Sequence, residues 1–140
     1  NKEGGITTLE EKSLGCITKA GSSKVKGILD YTEIVQKPGL NLLNGPGNDL
    51  IASTALAASG CQLIMFTTGR GTPFSTVVPT LKIGTNNKIS SFKDNWIDFN
   101  AFDMNDEKLW NLVLDTINGK YHAKSENYKE IAFYKKGVTL

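Results

Sequence analysis

The amino-acid sequence predicts an α/β fold, a Rossmann-like three-layer sandwich with a mainly parallel sheet. The first observation is a strand–helix–strand pattern over residues 40–66, which is near the minimum length of a βαβ unit. The second is that apolar strand and helix patterns continue to residue 117, with no repeats and no low-complexity tracts. A chain of 140 residues with 39% hydrophobic positions is long enough to bury one core, so we predict a single domain over residues 1–140.

The N-terminal part is predicted to contain a helix followed by a connection. Thr7 and Thr8 each stand three residues before a glutamate, which makes two overlapping capping boxes at a helix start. This helix pattern ends at Gly21. In residues 22–37, Val25, Ile28 and Leu29 suggest a short strand, but Gly27 interrupts it and a Lys-Pro-Gly turn follows, so we interpret the segment as a connection.

The predicted βαβ unit comes next in the chain. Leu40–Leu43 is a predicted buried strand, and a turn rich in Asn, Gly and Pro separates it from a small-residue helix over residues 50–58. Gly60 stands where a glycine commonly ends a helix. Another apolar strand, residues 63–66, follows at once, so we expect two parallel strands with the helix packed against them.

The second half is predicted to add further strands and one helix. A strand covers residues 81–83, and the partly alternating residues 96–100 are either a short strand or a packed loop. Asn105 caps a helix that Gly119 ends. Residues 131–134 have the pattern of a final edge strand.

Composition limits the expected partners and compartment. Sixteen basic and 14 acidic residues give a net charge of +2, and no basic run is present, so we do not expect nucleic acid to bind. Because no apolar run has the length of a membrane span or the form of a signal peptide, we predict a cytoplasmic protein without membrane contact. Cys16 and Cys61 do not suggest a disulfide framework, and with His122 as its only histidine the chain does not supply the usual ligands of a zinc site.

The strongest functional signal is residues 67–73, which we call the arginine loop. Arg70 stands between two glycines among threonine hydroxyls, and its planar fork of donors matches a carboxylate or a phosphate. Residues 44–49 also leave the carboxyl end of a predicted strand, and they lead into a helix N-terminus. Both loops would project from one edge of a right-handed βαβ unit, which predicts a shared pocket for an anion. For residues 44–49 alone, a plain turn with an Asp cap is the simpler explanation.

Other polar residues have both a structural and a chemical interpretation. Glu10 and Glu11 are helix-cap residues first, and the alternative is that one of the two carboxylates also faces the site. Lys12 is either solvated or a general base whose pKa is lowered by burial. Asp98 and Asn100 lie on one face of an alternating segment, where they either bind hydroxyls or a metal or only form a turn.

Four segments resemble the altronate and galactarate dehydratases, in the same order over residues 4–101. They include the strings Glu-Glu-Lys-Ser-Leu-Gly and Thr-Thr-Gly-Arg-Gly, which are far more specific than a single glycine pattern. The matching segments are residues 4–15, 39–49, 66–73 and 98–101. Phe102 stands where the family pattern has a glycine.

The resemblance implies the C-terminal part of a hexuronate-pathway enzyme, whose N-terminal portion includes a small β-rich domain. Such enzymes are hydro-lyases of carbohydrate metabolism. They remove water from a sugar acid to give a 2-keto-3-deoxy acid, and they depend on a divalent metal, iron(II) or manganese(II), whose ligands are expected partly outside this chain. We expect catalytic roles for Glu10, Glu11, Lys12 and Arg70, and substrate binding by Asn48, Asp49, Thr67, Thr68, Gly69, Arg70, Gly71, Asp98 and Asn100. The resemblance implies only that these residues are motif positions, and their individual roles are our inference.

Three alternatives to the dehydratase stay open. A sulfolactate lyase subunit of the same family would expel sulfite instead of water. A non-catalytic module would hold a phosphate or nucleotide in the same loops, although neither Gly-x-Gly-x-x-Gly nor Gly-x-x-x-x-Gly-Lys-Ser/Thr occurs at a strand–helix turn. An interaction domain would use the loops at a protein interface. For the dehydratase, we predict that the isolated chain is inactive. Its expected partners are the N-terminal domain of the same enzyme and a sugar-acid substrate. Whether the enzyme forms a homo-oligomer is left open.

Overall fold

The structure, a computed structural model, describes residues 14, 15, 18, 21–103 and 105–135. These residues form an α/β sandwich with parallel strands in two small sheets, which confirms the predicted α/β class. The strands are β1 (Val25–Leu29), β2 (Leu40–Leu43), β3 (Ile64–Thr68), β4 (Thr80–Gly84) and β5 (Phe99–Asn100). The helices are α1 (Asp49–Ala58), α2 (Asn87–Phe92) and α3 (Asp106–Ile117), and a 3-10 helix covers Ala101–Asp103.

The first sheet is a parallel pair of β1 and β2. Gly27 lies beside Asn41 in this pair, and a Cβ on Gly27 would come 2.5 Å from the Asn41 Oδ1 atom. The prediction of a connection over residues 22–37 is therefore wrong for Val25–Leu29. Gly27 interrupts the apolar pattern of this strand, but pairing with the more apolar β2 outweighs its low strand propensity.

The second sheet holds β3, β4 and β5 in that order, all parallel. Ile64 pairs with Thr80 and Thr68 pairs with Gly84, so β3 and β4 are in register from end to end. β4 is the central strand, and each of its residues is buried. Residues 69–79 join the two strands without a helix and must return from the carboxyl end of β3 to the amino end of β4. The arginine loop is the first part of this return.

The predicted βαβ unit over residues 40–66 is present as three elements but not as one sheet. β2, α1 and β3 follow one another as expected. However, β2 pairs with β1 and β3 pairs with β4, and no ladder joins β2 to β3 within the described residues. The prediction is wrong on this point because each strand obtains its parallel neighbour from another segment of the chain.

Each of α1, α2 and α3 begins at an asparagine cap. The side-chain oxygens of Asn48, Asn86 and Asn105 accept the backbone N–H of the residue three positions later, at 3.1, 2.9 and 2.9 Å. After α3, Gly119 has φ +70, which is the conformation that a glycine after a helix end commonly adopts. The predicted cap at Asn105 and helix end before Gly119 are confirmed.

One cluster of the apolar core lies on one face of the second sheet. Leu81 of β4 packs with Val113 of α3 and with Ala123. Partly buried side chains that surround this cluster are Leu63, Leu112 and Tyr121. Because successive side chains of a strand point to opposite faces, Lys82 faces away from the Leu81 cluster.

The C-terminal segment does not form the predicted edge strand. Residues 131–134 are irregular, and the described pairing nearest to them is an isolated bridge between Ser75 and Lys129. Instead, the backbone N–H of Tyr134 donates to the Tyr31 hydroxyl at 3.0 Å, and the two rings meet edge to face. Contacts with Tyr31 therefore take the place of a strand ladder.

The first predicted helix lies mainly outside the described residues, including its start at Thr7 and Thr8 and the position of Cys16. Its expected end is described, since the Thr18 hydroxyl bonds back to a carbonyl at 2.9 Å and Gly21 has φ +66. In the described part of the chain, no helix combines the length and the apolar character needed to cross a membrane.

Candidate functional site

The arginine loop is held by its backbone carbonyls. Four successive carbonyl oxygens accept hydrogen bonds from side chains that lie between residues 86 and 96. Asn86 Nδ2 donates to Gly69 O at 3.3 Å, Lys93 Nζ donates to Arg70 O at 2.8 Å and Gly71 O at 3.0 Å, and Trp96 Nε1 donates to Thr72 O at 3.0 Å. These bonds fix the loop backbone and do not involve the Arg70 side chain.

The amide groups of the same loop are bound by Thr68, the last residue of β3. Its hydroxyl oxygen accepts the N–H of Gly71 at 2.8 Å and the N–H of Arg70 at 3.3 Å. Gly71 has φ +70, and a Cβ there would come 2.7 Å from the Lys93 Cδ atom, so this turn requires glycine. The loop is thus preorganised before any ligand binds.

We expect Gly71→Ala to lower the free energy of unfolding by about 1–3 kcal/mol, because it adds backbone strain and displaces Lys93 from two carbonyls. Gly119→Ala is the matched control, since Gly119 has the same φ of +70 but a Cβ there meets nothing within 4 Å. Urea denaturation of both variants in the full-length protein measures the difference. Equal losses would show that the Lys93 contact contributes nothing to the loop.

The predicted residues of the arginine loop lie together at the carboxyl end of β3. Thr67, Gly69 and Arg70 are exposed, whereas Thr68 and Gly71 are buried. The Thr68 hydroxyl is already used within the loop. Thr67 and Arg70 are therefore the predicted side chains here that have surface available to a ligand.

The first three residues of the 44–49 loop border a cavity of about 230 Å³. The cavity is lined by Asp30, Tyr31, Asn44, Gly45, Pro46 and Tyr134, and no residue of the arginine loop is among them. Asn48 caps α1 through its side chain, and Asp49 is the exposed first residue of that helix. A shared anion pocket between the two loops stays a prediction.

Asp98 binds three donors of the protein. Its Oδ2 accepts the backbone N–H of Lys82 at 2.6 Å, and its Oδ1 accepts the Tyr121 hydroxyl at 2.8 Å and the backbone N–H of Lys124 at 2.8 Å. Burial and the hydrogen bond to Asp98 raise the pKa of Tyr121. Asp98 therefore ties β4 to the C-terminal segment, and its contact with substrate stays a prediction.

Asn100 closes a turn at the end of β5. Its Nδ2 donates to Asn87 Oδ1 at 2.8 Å and to Asp103 Oδ1 at 3.2 Å, and its Oδ1 accepts the backbone N–H of Phe102 at 3.2 Å. Phe102 is 64% exposed, so the bulky ring in place of the family glycine is directed to the surface of the domain.

Lys82 is the most unusual residue of the second sheet. It is fully buried in the middle of β4, and among the described residues its Nζ has no hydrogen-bond partner. Nζ lies 3.5 Å from the ring centroid of Phe74 and 4.3 Å from that of Phe66. Phe66 is the neighbour of Lys82 on β3, and Phe74 directly follows the arginine loop. Cation–π contacts therefore connect the end of the loop to the sheet.

Burial lowers the pKa of Lys82 from 10.5 to about 8, although the charges of Asp49 and Asp98 act to raise it. Because the unfolded chain binds this proton more tightly, the buried charge opposes folding fully below about pH 8, and its effect disappears as the pH rises to about 10.5. Two residues of the predicted site thus act electrostatically on one buried ammonium.

Lys82 and Lys93 are not among the site residues predicted from the sequence. A signal for Lys82 exists, because a lysine between Leu81 and Ile83 in a central apolar strand is rare. Lys93 has no local signal, since it bonds to the carbonyl of Arg70, 23 residues earlier in the chain.

Three predicted catalytic residues, Glu10, Glu11 and Lys12, lie outside the described residues. Within residues 14, 15, 18, 21–103 and 105–135, no three His, Cys, Asp or Glu side chains lie close enough together to hold a metal ion. Asp98 is also poorly suited as a ligand, since both of its carboxylate oxygens accept protein hydrogen bonds. The described part of the chain does not fit a complete metal site.

Comparison with known proteins identifies several relatives. Altronate dehydratases of Bacillus subtilis (strain 168) and Escherichia coli (strain K12) are each 50% identical to this chain, with all of the chain and 30% of each relative covered. Galactarate dehydratase (L-threo-forming) of Escherichia coli (strain K12) is 33% identical, over 91% of the chain and 26% of that protein. The chain thus spans about a third or less of the length of these relatives.

The family assignment follows from a match that covers nearly every residue. A family model described as "D-galactarate/Altronate dehydratase, C-terminal" matches residues 1–139. This range contains all four resembling segments, among them the arginine loop with its fixed backbone. The chain belongs to the D-galactarate/altronate dehydratase family, of which it represents the C-terminal part.

Proposed function

We propose that the full-length protein is a sugar-acid hydro-lyase of the altronate dehydratase type and that this chain supplies part of its active site. The observation that carries the proposal is the arginine loop, a family motif with a fixed backbone and an exposed Arg70. The 50% identity to altronate dehydratases favours a hexonate such as altronate over a hexarate such as galactarate as the substrate.

The proposed reaction breaks the C2–H and C3–O bonds of the sugar acid. A base accepts the C2 proton, and the resulting enediolate carries negative charge on the oxygens of the carboxylate. The C3 hydroxyl then accepts a proton and leaves as water, and the enol product tautomerises to the 2-keto-3-deoxy acid. Donors that already face the carboxylate oxygens stabilise this charge as it develops.

Arg70 is proposed to bind the substrate carboxylate. Its guanidinium offers two parallel N–H donors to two oxygens, and the fixed loop needs no reorganisation during the reaction. Proton transfer is proposed for Glu10, Glu11 and Lys12, and further substrate contacts for Asn48, Asp49, Thr67, Thr68, Gly69, Gly71, Asp98 and Asn100.

A divalent metal, iron(II) or manganese(II), belongs to the same proposal, with its ligands partly outside this chain. When bound, such an ion supplies Lewis-acid stabilisation of charged oxygens. The N-terminal domain of the same enzyme is proposed to complete the active site, so we expect the isolated chain to be inactive. We propose that the enzyme acts in the cytoplasm, and assembly into a homo-oligomer is compatible with this role.

The full-length protein, supplied with iron(II) or manganese(II), tests the proposal. Altronate, galactarate and sulfolactate are assayed separately for 2-keto-3-deoxy acid and for sulfite. Dehydration of altronate with the highest kcat/KM supports the proposal. Sulfite release from sulfolactate without dehydration would replace it with a sulfo-lyase, and anion binding without any product would favour the non-catalytic module.

A further inference from the structure

The return from the arginine loop to β4 passes over Lys82. Because β3 and β4 are parallel neighbours, residues 69–79 must cross a face of the sheet on their way back. Phe74 lies midway along this return and is only 3% exposed. Its ring lies over the Lys82 ammonium at the centre of β4.

A lysine is an unfavourable choice for this buried position. Its ammonium carries three N–H donors, and none finds a hydrogen-bond acceptor among the described residues. Methionine or leucine would fill a similar volume without the desolvation penalty. The contacts that the described residues offer to the charge are the faces of Phe66 and Phe74, and both contacts depend on that charge.

Three of the groups around Lys82 come from three of the four segments that carry the family resemblance, and Phe74 directly follows one of these segments. Asp49 at the start of α1 and Asp98 before β5 are the carboxylates whose charges act on the ammonium. Neither forms a salt bridge with it in the described structure. Phe66 begins the segment that contains the arginine loop. Lys82 is therefore the residue at which these segments come together.

We propose that Lys82 is a positioning residue of the active site: its ammonium binds the rings of Phe66 and Phe74 and thereby fixes the end of the arginine loop, so that Arg70 is held towards the substrate carboxylate. This role rests on the proposed function. Lys93 binds two carbonyl oxygens of the loop, and Lys82 holds the end of the loop from the sheet. The positive charges of these two lysines would also favour an anion beside the loop.

Lys82→Met in the full-length enzyme tests the role, because methionine keeps an unbranched apolar side chain and removes the charge. Lys88→Met, at an exposed lysine of α2, is the matched control. We expect Lys82→Met to lower kcat/KM for the sugar acid at least about tenfold without lowering the melting temperature, since a buried charge is removed. Lys88→Met is expected to behave as the wild type. Wild-type kcat/KM in Lys82→Met, or equal losses in both variants, would overturn the proposal.

The pH profile is a second readout, which a purely structural role would not change. Wild-type kcat/KM is expected to fall as the pH rises through the pKa of Lys82, about 8, because the neutral amine loses its cation–π contacts. The charged groups that act on this titration are Asp49 and Asp98. Lys82→Met is expected to lack this decline. A decline of the same size in the variant would assign it to another group and contradict the proposal.

Amide hydrogen exchange measures how firmly the loop backbone is held, independently of catalytic activity. In Lys82→Met we expect peptides that cover residues 69–76 to exchange about tenfold faster than in the wild type, while β4 is unchanged. If exchange is faster in Lys82→Met but the wild-type full-length protein has no dehydratase activity, the result would support the positioning of the loop and contradict the proposed function. Unchanged exchange in an active enzyme would overturn the positioning role alone.

Discussion

Replacing Arg70 with lysine in the full-length enzyme is expected to lower kcat/KM for the sugar acid by at least about 100-fold and to leave the assembly intact. Lysine keeps the positive charge but loses the planar fork that meets two carboxylate oxygens at once. The loop backbone should keep its path, because Asn86, Lys93 and Trp96 bind its carbonyls. Initial rates over a range of substrate concentrations measure the change.

Gel filtration and circular dichroism of Arg70→Lys provide the controls for assembly and fold. Arg70 is the only arginine among the 140 residues, so no other guanidinium of this chain substitutes for it. A correctly assembled variant with wild-type kcat/KM would contradict carboxylate binding by Arg70. Loss of assembly with normal turnover in the remaining assembled enzyme would favour a protein interface at the arginine loop.

Asp98→Asn is expected to have the largest effect on stability, a loss of about 2–3 kcal/mol in the free energy of unfolding. The carboxylate accepts hydrogen bonds from the Lys82 and Lys124 backbone N–H groups and from the Tyr121 hydroxyl. An amide replaces one acceptor oxygen by an NH2 group, which places a donor against a donor. Urea unfolding of the wild type and the variant measures the loss.

Tyr121 provides a spectroscopic check on the same substitution. Burial and the hydrogen bond to Asp98 raise its pKa, so Asp98→Asn should lower that pKa towards the ordinary value of 10.0, which phenolate absorbance follows. Asp94→Asn is the control for stability, since the Asp94 side chain is 87% exposed and its ion pair with Lys124 lies at the surface. Equal losses of stability in the two variants would show that Asp98 has no special role in the fold.

Single elements of this fold are predictable from local sequence signals. β2 has the predicted bounds Leu40–Leu43, and α3 lies between the predicted cap Asn105 and the predicted glycine Gly119. These boundaries depend on groups a few residues apart, such as a cap oxygen and the N–H three positions later. The same holds for α1, which begins at Asp49, one residue before the predicted start.

Strand pairing is not a local property, and this explains the errors in the predicted topology. The pattern over residues 40–66 is the same whether β2 and β3 are neighbours or belong to different sheets. The outcome depends on β1, whose apolar pattern is interrupted by Gly27, and on β4. Residues 131–134 have a strand-like pattern, but their backbone N–H groups bind side chains instead of a strand: Ala132 donates to the Thr54 hydroxyl of α1 and Tyr134 donates to the Tyr31 hydroxyl.

In the candidate site as well, features with a local sequence signal are predictable and features that depend on the fold are not. The glycines and Arg70 identify the arginine loop from sequence alone. The groups that hold the loop cannot be identified from the sequence, because Lys93 and Trp96 are ordinary residues of a polar segment until the fold brings them to the loop. Asp98 has a plausible chemical role in the sequence, and only its three donors reveal that it also supports the sheet.

The side chains that bind the loop carbonyls, those of Asn86, Lys93 and Trp96, would have to be transferred together with the loop if it were grafted onto another protein. Residues 67–73 grafted alone would carry the Arg70 guanidinium without the side chains that fix the loop backbone, and the loop would adopt many conformations. A graft would therefore need at least residues 64–96, which carry β3, β4, the return between them and the donors Asn86, Lys93 and Trp96.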